Sequence, residues 1–107
     1  MAQTLTSGII EQGYIASGAA ASWYVVPAGT SLEGGVLLMK NINAAKQTVL
    51  ISLMEAGGAA VPIPQVEIDQ NGGARILLPP LGPADAIHLG TTTATAVHCT
   101  LGGTRVT

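Results

Sequence analysis

The sequence predicts an all-β domain, an antiparallel β-sandwich or jelly-roll-like barrel of about eight short strands with an N-terminal arm. Three observations predict it. Apolar runs are short and rich in Val, Ile and Leu. Turn residues recur roughly every 8–12 positions. No stretch has the 3.6-residue apolar spacing of a normal helix.

The pattern is clearest from Val36 to Met54, where Val36-Leu37-Leu38-Met39 and Val49-Leu50-Ile51 flank a polar bend at Asn43-Ala44-Ala45-Lys46. Both runs are too short and β-branched for a helix, and the connector has hairpin length, so they read as a central antiparallel pair. Residues 1–16 form an arm and edge strand, and residues 17–107 the sandwich. Met1 to Gly8 is small and polar, anchored by Leu5 alone. Ile9 to Ala16 contains Gly13, which suggests a bend or bulge. Ser22 to Val26 is strand material, stopped by Pro27-Ala28-Gly29-Thr30. Gly34-Gly35 marks a further bulge. Ala56 to Ala60 is a tip, and Val61 to Ile68 belongs on an edge because Pro62 and Pro64 remove donors. Asn71-Gly72 is the strongest turn signal. Ala74 to Leu78 is a strand closed by Pro79-Pro80-Leu81-Gly82-Pro83.

The last two strands, folded about Thr93, place Ile87 opposite Cys99, Leu89 opposite Val97 and His88 opposite His98. That register keeps apolar pairs on one face and both histidines on the other, and a one-residue slip would mix them.

Composition bounds the function. Of 107 residues, 9% are charged and 48% hydrophobic, with one Trp, two Tyr and no Phe; an ordinary domain is about 25% charged. So much uncharged surface suits burial against other subunits, and the chain is expected to form homo-oligomers, a dimer or trimer, or to dock on an assembly. The net charge of −2, with Lys40, Lys46, Arg75 and Arg105 scattered along the chain, offers no basic stripe for nucleic acid. Cys99 alone builds no disulfide framework. The N-terminus lacks the basic and apolar regions of a signal peptide, and no apolar run approaches the roughly 18 residues of a membrane span, so synthesis in a cytoplasm without membrane insertion is expected.

Each chemical candidate has a plainer reading. Facing His88 and His98 would supply two metal ligands, but two do not complete a site, and half-exposed sheet residues are the preferred reading. Paired, they would make an interface pH-sensitive by charging together. Glu67 and Asp69 beside Gln70 and Asn71 resemble a calcium loop without its ordered spacing, so a solvated turn is preferred. Cys99 as a nucleophile would need His98 or His88, but His98 is its strand neighbour and faces the other way, and His88 is placed on that far face too; a buried thiol is preferred. The paired glycines match no phosphate loop, since none leads into a helix or is followed by Lys-Ser/Thr. No catalytic residue, metal or cofactor is therefore expected. Trp23 and Tyr24 are consecutive in a strand, so one should face the core and one the outside, as an interface anchor or a sugar platform.

The run Ser22-Trp23-Tyr24-Val25-Val26-Pro27-Ala28-Gly29-Thr30, the apolar pair around Lys40-Asn41-Ile42-Asn43, and the segment from Ile76 to Ile87 resemble small tailed-bacteriophage virion proteins. In those chains a VPAGT-like turn leads to a strand ending near Asn, and a later L-x-x-G-D-x-I segment closes the sandwich. Here Pro83-Ala84 separates Gly82 from Asp85. The resemblance spans about Ser22 to Val106. It implies a capsid decoration (cement) protein located in the virion, whose partners are the major capsid protein and copies of itself. The alternative is a tail, neck or fibre component, including a glycan-binding β-sandwich. The contact surface is expected to include Leu5, Ile9, Ile10, Trp23, Tyr24, His88 and His98, with the Met1 to Gly8 arm adding a strand to a neighbour's edge.

Overall fold

The computed structural model describes residues 5–56, 58, 60–93 and 95–107. Among them eight strands follow one another: β1 (Leu5–Tyr14), β2 (Ala21–Val25), β3 (Ser31–Asn41), β4 (Gln47–Met54), β5 (Ala60–Ile68), β6 (Gly73–Leu77), β7 (Ala86–Thr91) and β8 (Val97–Val106). They form two four-stranded antiparallel sheets, sheet A in the order β1-β8-β3-β6 and sheet B in the order β2-β7-β4-β5. This interleaved order is the connectivity of a jelly roll, two packed sheets related by Greek-key crossings. No helix among the described residues is long and apolar enough to cross a membrane.

The alternation of side chains explains why these segments are strands. In β3 Leu37 and Met39 are buried while Leu38 and Lys40 are exposed. In β4 Val49, Ile51 and Leu53 are buried with Leu50 exposed. Ile87 and Leu89 of β7 and Val97, Cys99 and Leu101 of β8 complete the filling between the sheets. A period of two puts one set of residues inside and the next outside.

Two expected pairings are corrected. β3 and β4 do not pair with each other: β3 lies between β8 and β6, and β4 between β7 and β5. β7 and β8 likewise lie in opposite sheets, so Ile87 and Leu89 share the core with Cys99 and Val97 from opposite sheets and do not face them along a ladder. The physical reason is common to both. Alternation fixes which residues turn inward, and facing across a sandwich buries them as well as lying side by side. At the first bend the crossing is made by Asn43, whose amide donates to Asn41 Oδ1 at 2.8 Å and whose own Oδ1 accepts from the Ala45 amide at 2.9 Å. Among the described residues only the β4–β5 connection stays within one sheet.

The turn and bulge positions follow the sequence more closely. Asn71 takes φ 58° while Gly72 does not share the positive φ, and the turn carries the chain from sheet B to sheet A instead of closing a hairpin. Gly34-Gly35 bulges against Gly103, with Gly34 at φ 60°. β5 is an edge strand. In β1 the extra residue is Ile10 and not Gly13. Of the arm, Leu5 to Gly8 belong to β1 and pair with β8, while Met1 to Thr4 lie outside the described residues, as does part of the Ala56 to Ala60 tip.

Candidate functional site

The candidate is the outer face of sheet A. Residues paired directly across an antiparallel ladder point to the same side. Ile9 pairs with Gly102, Gly102 with Val36, and Val36 with Leu77, so one row crosses all four strands without a polar side chain. The next row, Gln12, Thr100, Leu38 and Arg75, adds a second leucine beside it. Leu5, Ile9, Leu38 and Leu77 keep 67%, 67%, 50% and 69% of their surface exposed. Gly102 leaves the centre of the row low and flat. The rim is polar, with Lys40, Arg75 and Glu33 on the same side. Lys40 is further tied by its ammonium group to the Asn71 carbonyl.

The expected surface residues separate into groups. Leu5 and Ile9 lie on this face. Ile10, as the bulged residue, turns inward and packs partly against the core. Trp23 is the extra residue of a bulge between Ser22 and Tyr24, and both aromatics pack partly against the core. The expected split into one core and one exposed ring is thereby corrected, because a bulge interrupts the alternation on which it rested.

His88 and His98 do not meet. His88 lies on the outer face of sheet B, between Ser22 and Ser52. His98 lies on the outer face of sheet A, between Tyr14 and Lys40, where the Tyr14 ring stands edge-on to it at 5.2 Å and 84°. The sandwich separates the two imidazoles, which removes both the shared-metal geometry and their mutual repulsion.

The remaining chemical candidates are occupied elsewhere. Cys99 is fully buried, and burial pushes its thiol up to about 12, away from nucleophilic use. Lys46 stands 3.8 Å from Glu67 and 3.7 Å from Asp69, an exposed ion-pair cluster at the turn. A cleft is lined by Met54, Glu55, Val61, Pro79, Pro80 and Asp85. Its Asp85 carboxylate accepts from the Ala56 amide at 2.9 Å and the Gly82 amide at 2.8 Å, and these bonds hold its pKa below the usual value. Both oxygens therefore tie loops together. Among the described residues no three of His, Cys, Asp and Glu converge as metal ligands would.

Leu38 and Leu77 escaped the sequence reading, yet a signal for them exists. Val36-Leu37-Leu38-Met39 and Ile76-Leu77-Leu78 are unbroken apolar runs in antiparallel strands, where one face is ordinarily polar. A run without alternation puts apolar groups on both sides of the sheet. Compared with known proteins, the chain matches no family model and no curated sequence.

Proposed function

We propose that this chain is a structural virion protein that binds the outer surface of a bacteriophage capsid and stabilises it across subunit junctions. The observation that carries the reading is the row Ile9, Gly102, Val36 and Leu77, with Leu38 beside it: a flat apolar face with a polar rim, the form of a protein contact surface. The jelly-roll fold and the low charge support it, and the resemblance of the Ser22 to Thr30 and Ile76 to Ile87 segments to tailed-phage virion proteins is the ground for proposing a capsid as the partner.

Mechanistically, the face does its work by leaving water. Covering apolar area contributes about 25 cal/mol per Å² before the cost of immobilisation, so each copy adds a modest contact energy. A shell presents the same junction many times, and copies bridging adjacent subunits resist their separation together. The fibre alternative relies on Trp23 or Tyr24 as a sugar platform, and their packing against the core leaves less of either ring for a glycan.

The test is addition of the purified protein to expanded capsids lacking it. Saturable binding with a raised capsid disruption temperature is the expected result. Failure to bind, or binding without any rise, overturns the reading.

A further inference from the structure

A sheet edge exposes backbone N–H and C=O groups that another strand satisfies best, and soluble proteins ordinarily blunt such edges. The edge strands here are β1 and β6 in sheet A, and β2 and β5 in sheet B. Three are blunted. β5 contains Pro62 and Pro64 and bulges opposite Leu50. β2 is five residues long and bulges at Trp23. β6 is also five residues long, with Pro79 and Pro80 soon after it. β1 also bulges, at Ile10, but it differs in the rest: ten residues, no proline, one charged side chain (Glu11), and, among the described residues, β8 as its sheet neighbour on one side only.

We infer that β1 pairs antiparallel with β1 of a second copy about a two-fold axis at Gly8, joining two A sheets into one continuous sheet. The faces of β1 determine this register. Leu5, Ser7 and Ile9 share the outer side with Gln12 and Tyr14, whereas Thr6, Gly8 and Glu11 share the other; the change of parity is made by the extra residue Ile10. Antiparallel neighbours must bring like faces together. With the axis at Gly8, Gly8 opposes its own copy, Ser7 opposes Ile9, Thr6 opposes Glu11 and Leu5 opposes Gln12, while Ile10 is the extra residue in both strands. The bulge that would otherwise disrupt an added strand is thus matched by symmetry, and no side chain crowds the axis.

The same register brings opposite charges together. β8 places Arg105 next to Thr6 on the same side of the sheet. Glu11 of one copy, opposite Thr6 of the other, therefore sits two strand spacings from that copy's Arg105, about 10 Å between backbones and within reach of the two side chains. This happens twice per dimer. Within one chain the ion pairs among the described residues are those of Lys46, and neither Glu11 nor Arg105 takes part in them. An axis at Glu11 would instead oppose two carboxylates.

This goes beyond the proposed function, which takes the capsid as partner and assigns no contact between copies of the chain. A dimer that ignores capsids keeps the pairing and loses the capsid reading; a monomer that coats capsids does the reverse. The experiment is sedimentation velocity on the full chain over a range of concentrations, with Glu11→Arg, Arg105→Glu and the double variant. The wild type is expected to dimerise. Each single variant should weaken the dimer by about fivefold or more, since two attractive pairs become repulsive, and the double variant should restore it. Glu11 is exposed, so folding is not at stake in its substitution. A wild type that stays monomeric, a trimer, a Glu11→Arg protein that dimerises unchanged, or a double variant as weak as the singles overturns the pairing.

Discussion

The side-chain amide of Asn41 donates to the backbone carbonyl of Ile68 at 2.9 Å, joining the end of β3 in sheet A to the end of β5 in sheet B. The same nitrogen reaches the carbonyls of Ala45 at 3.0 Å and Asp69 at 3.1 Å, while Oδ1 accepts from the Asn43 amide. Asn41 is fully buried, and no water replaces those bonds cheaply. Beside it the buried Gln47 accepts from the Thr93 amide at 3.0 Å and from the Thr91 hydroxyl at 3.4 Å. One end of the sandwich is therefore closed by two amide side chains. Asn41→Ala should cost about 2–4 kcal/mol, because it leaves carbonyls of both turns unpaired in a dry site. Urea unfolding with an unchanged m-value checks it; a loss below about 0.5 kcal/mol would mean the turns hold without the amide.

Packing and docking should separate cleanly in the leucines. Leu101 is wholly buried between the sheets, and Leu101→Ala should cost about 2–4 kcal/mol through the lost contacts and the cavity left behind. Leu77 stands on the outer face of sheet A, so Leu77→Ala should change stability by no more than about 0.5 kcal/mol. Thermal or urea unfolding of the two variants side by side decides this.

Cys99 should be inert until the protein unfolds. Burial raises its thiol from 9.0 to about 12, so the folded state holds the proton more tightly. Its contribution to stability is present below pH 9 and is lost as pH rises towards 12. Alkylation by iodoacetamide at pH 8.5 should follow global unfolding; rapid labelling of the native protein would contradict this placement.

Asp85 supplies the acid side. Its carboxyl is lowered by the Ala56 amide and then the Gly82 amide, so its contribution is present above the ordinary value of 3.8 and is lost as pH falls through the lower folded value. Asp85→Asn keeps one acceptor and should lose about 0.5–1 kcal/mol at neutral pH, a small figure because the group is solvent-screened. It should also flatten the stability decline below pH 4. An unchanged acid profile would show that other carboxylates carry it.

Much of the fold could be read from the chain, and the misses share a cause. Val49, Ile51 and Leu53 alternate with Leu50 and Ser52, which marks β4 as a strand and names its inner face. Nothing in that alternation says whether the facing residues lie in the same sheet or across the core, and pairs that the sequence places side by side, β3 with β4 and β7 with β8, lie in opposite sheets. The turn at Asn71 and the bulge at Gly34 are readable because positive φ restricts residue choice. Asn41 was not, since an asparagine at a strand end is ordinary and its acceptors come from distant turns. For the candidate surface, Leu5 and Ile9 were visible as apolar residues in a polar arm. Leu38 and Leu77 were hidden inside runs that also serve the core.

The central claim is that the outer face of sheet A is covered by a capsid, and Leu38→Glu/Leu77→Glu tests it most directly. Both positions are exposed, so the variant should melt as the wild type does while its binding to expanded capsids, measured by co-sedimentation, is abolished. A variant that binds with wild-type affinity would contradict the claim and remove this face from the contact.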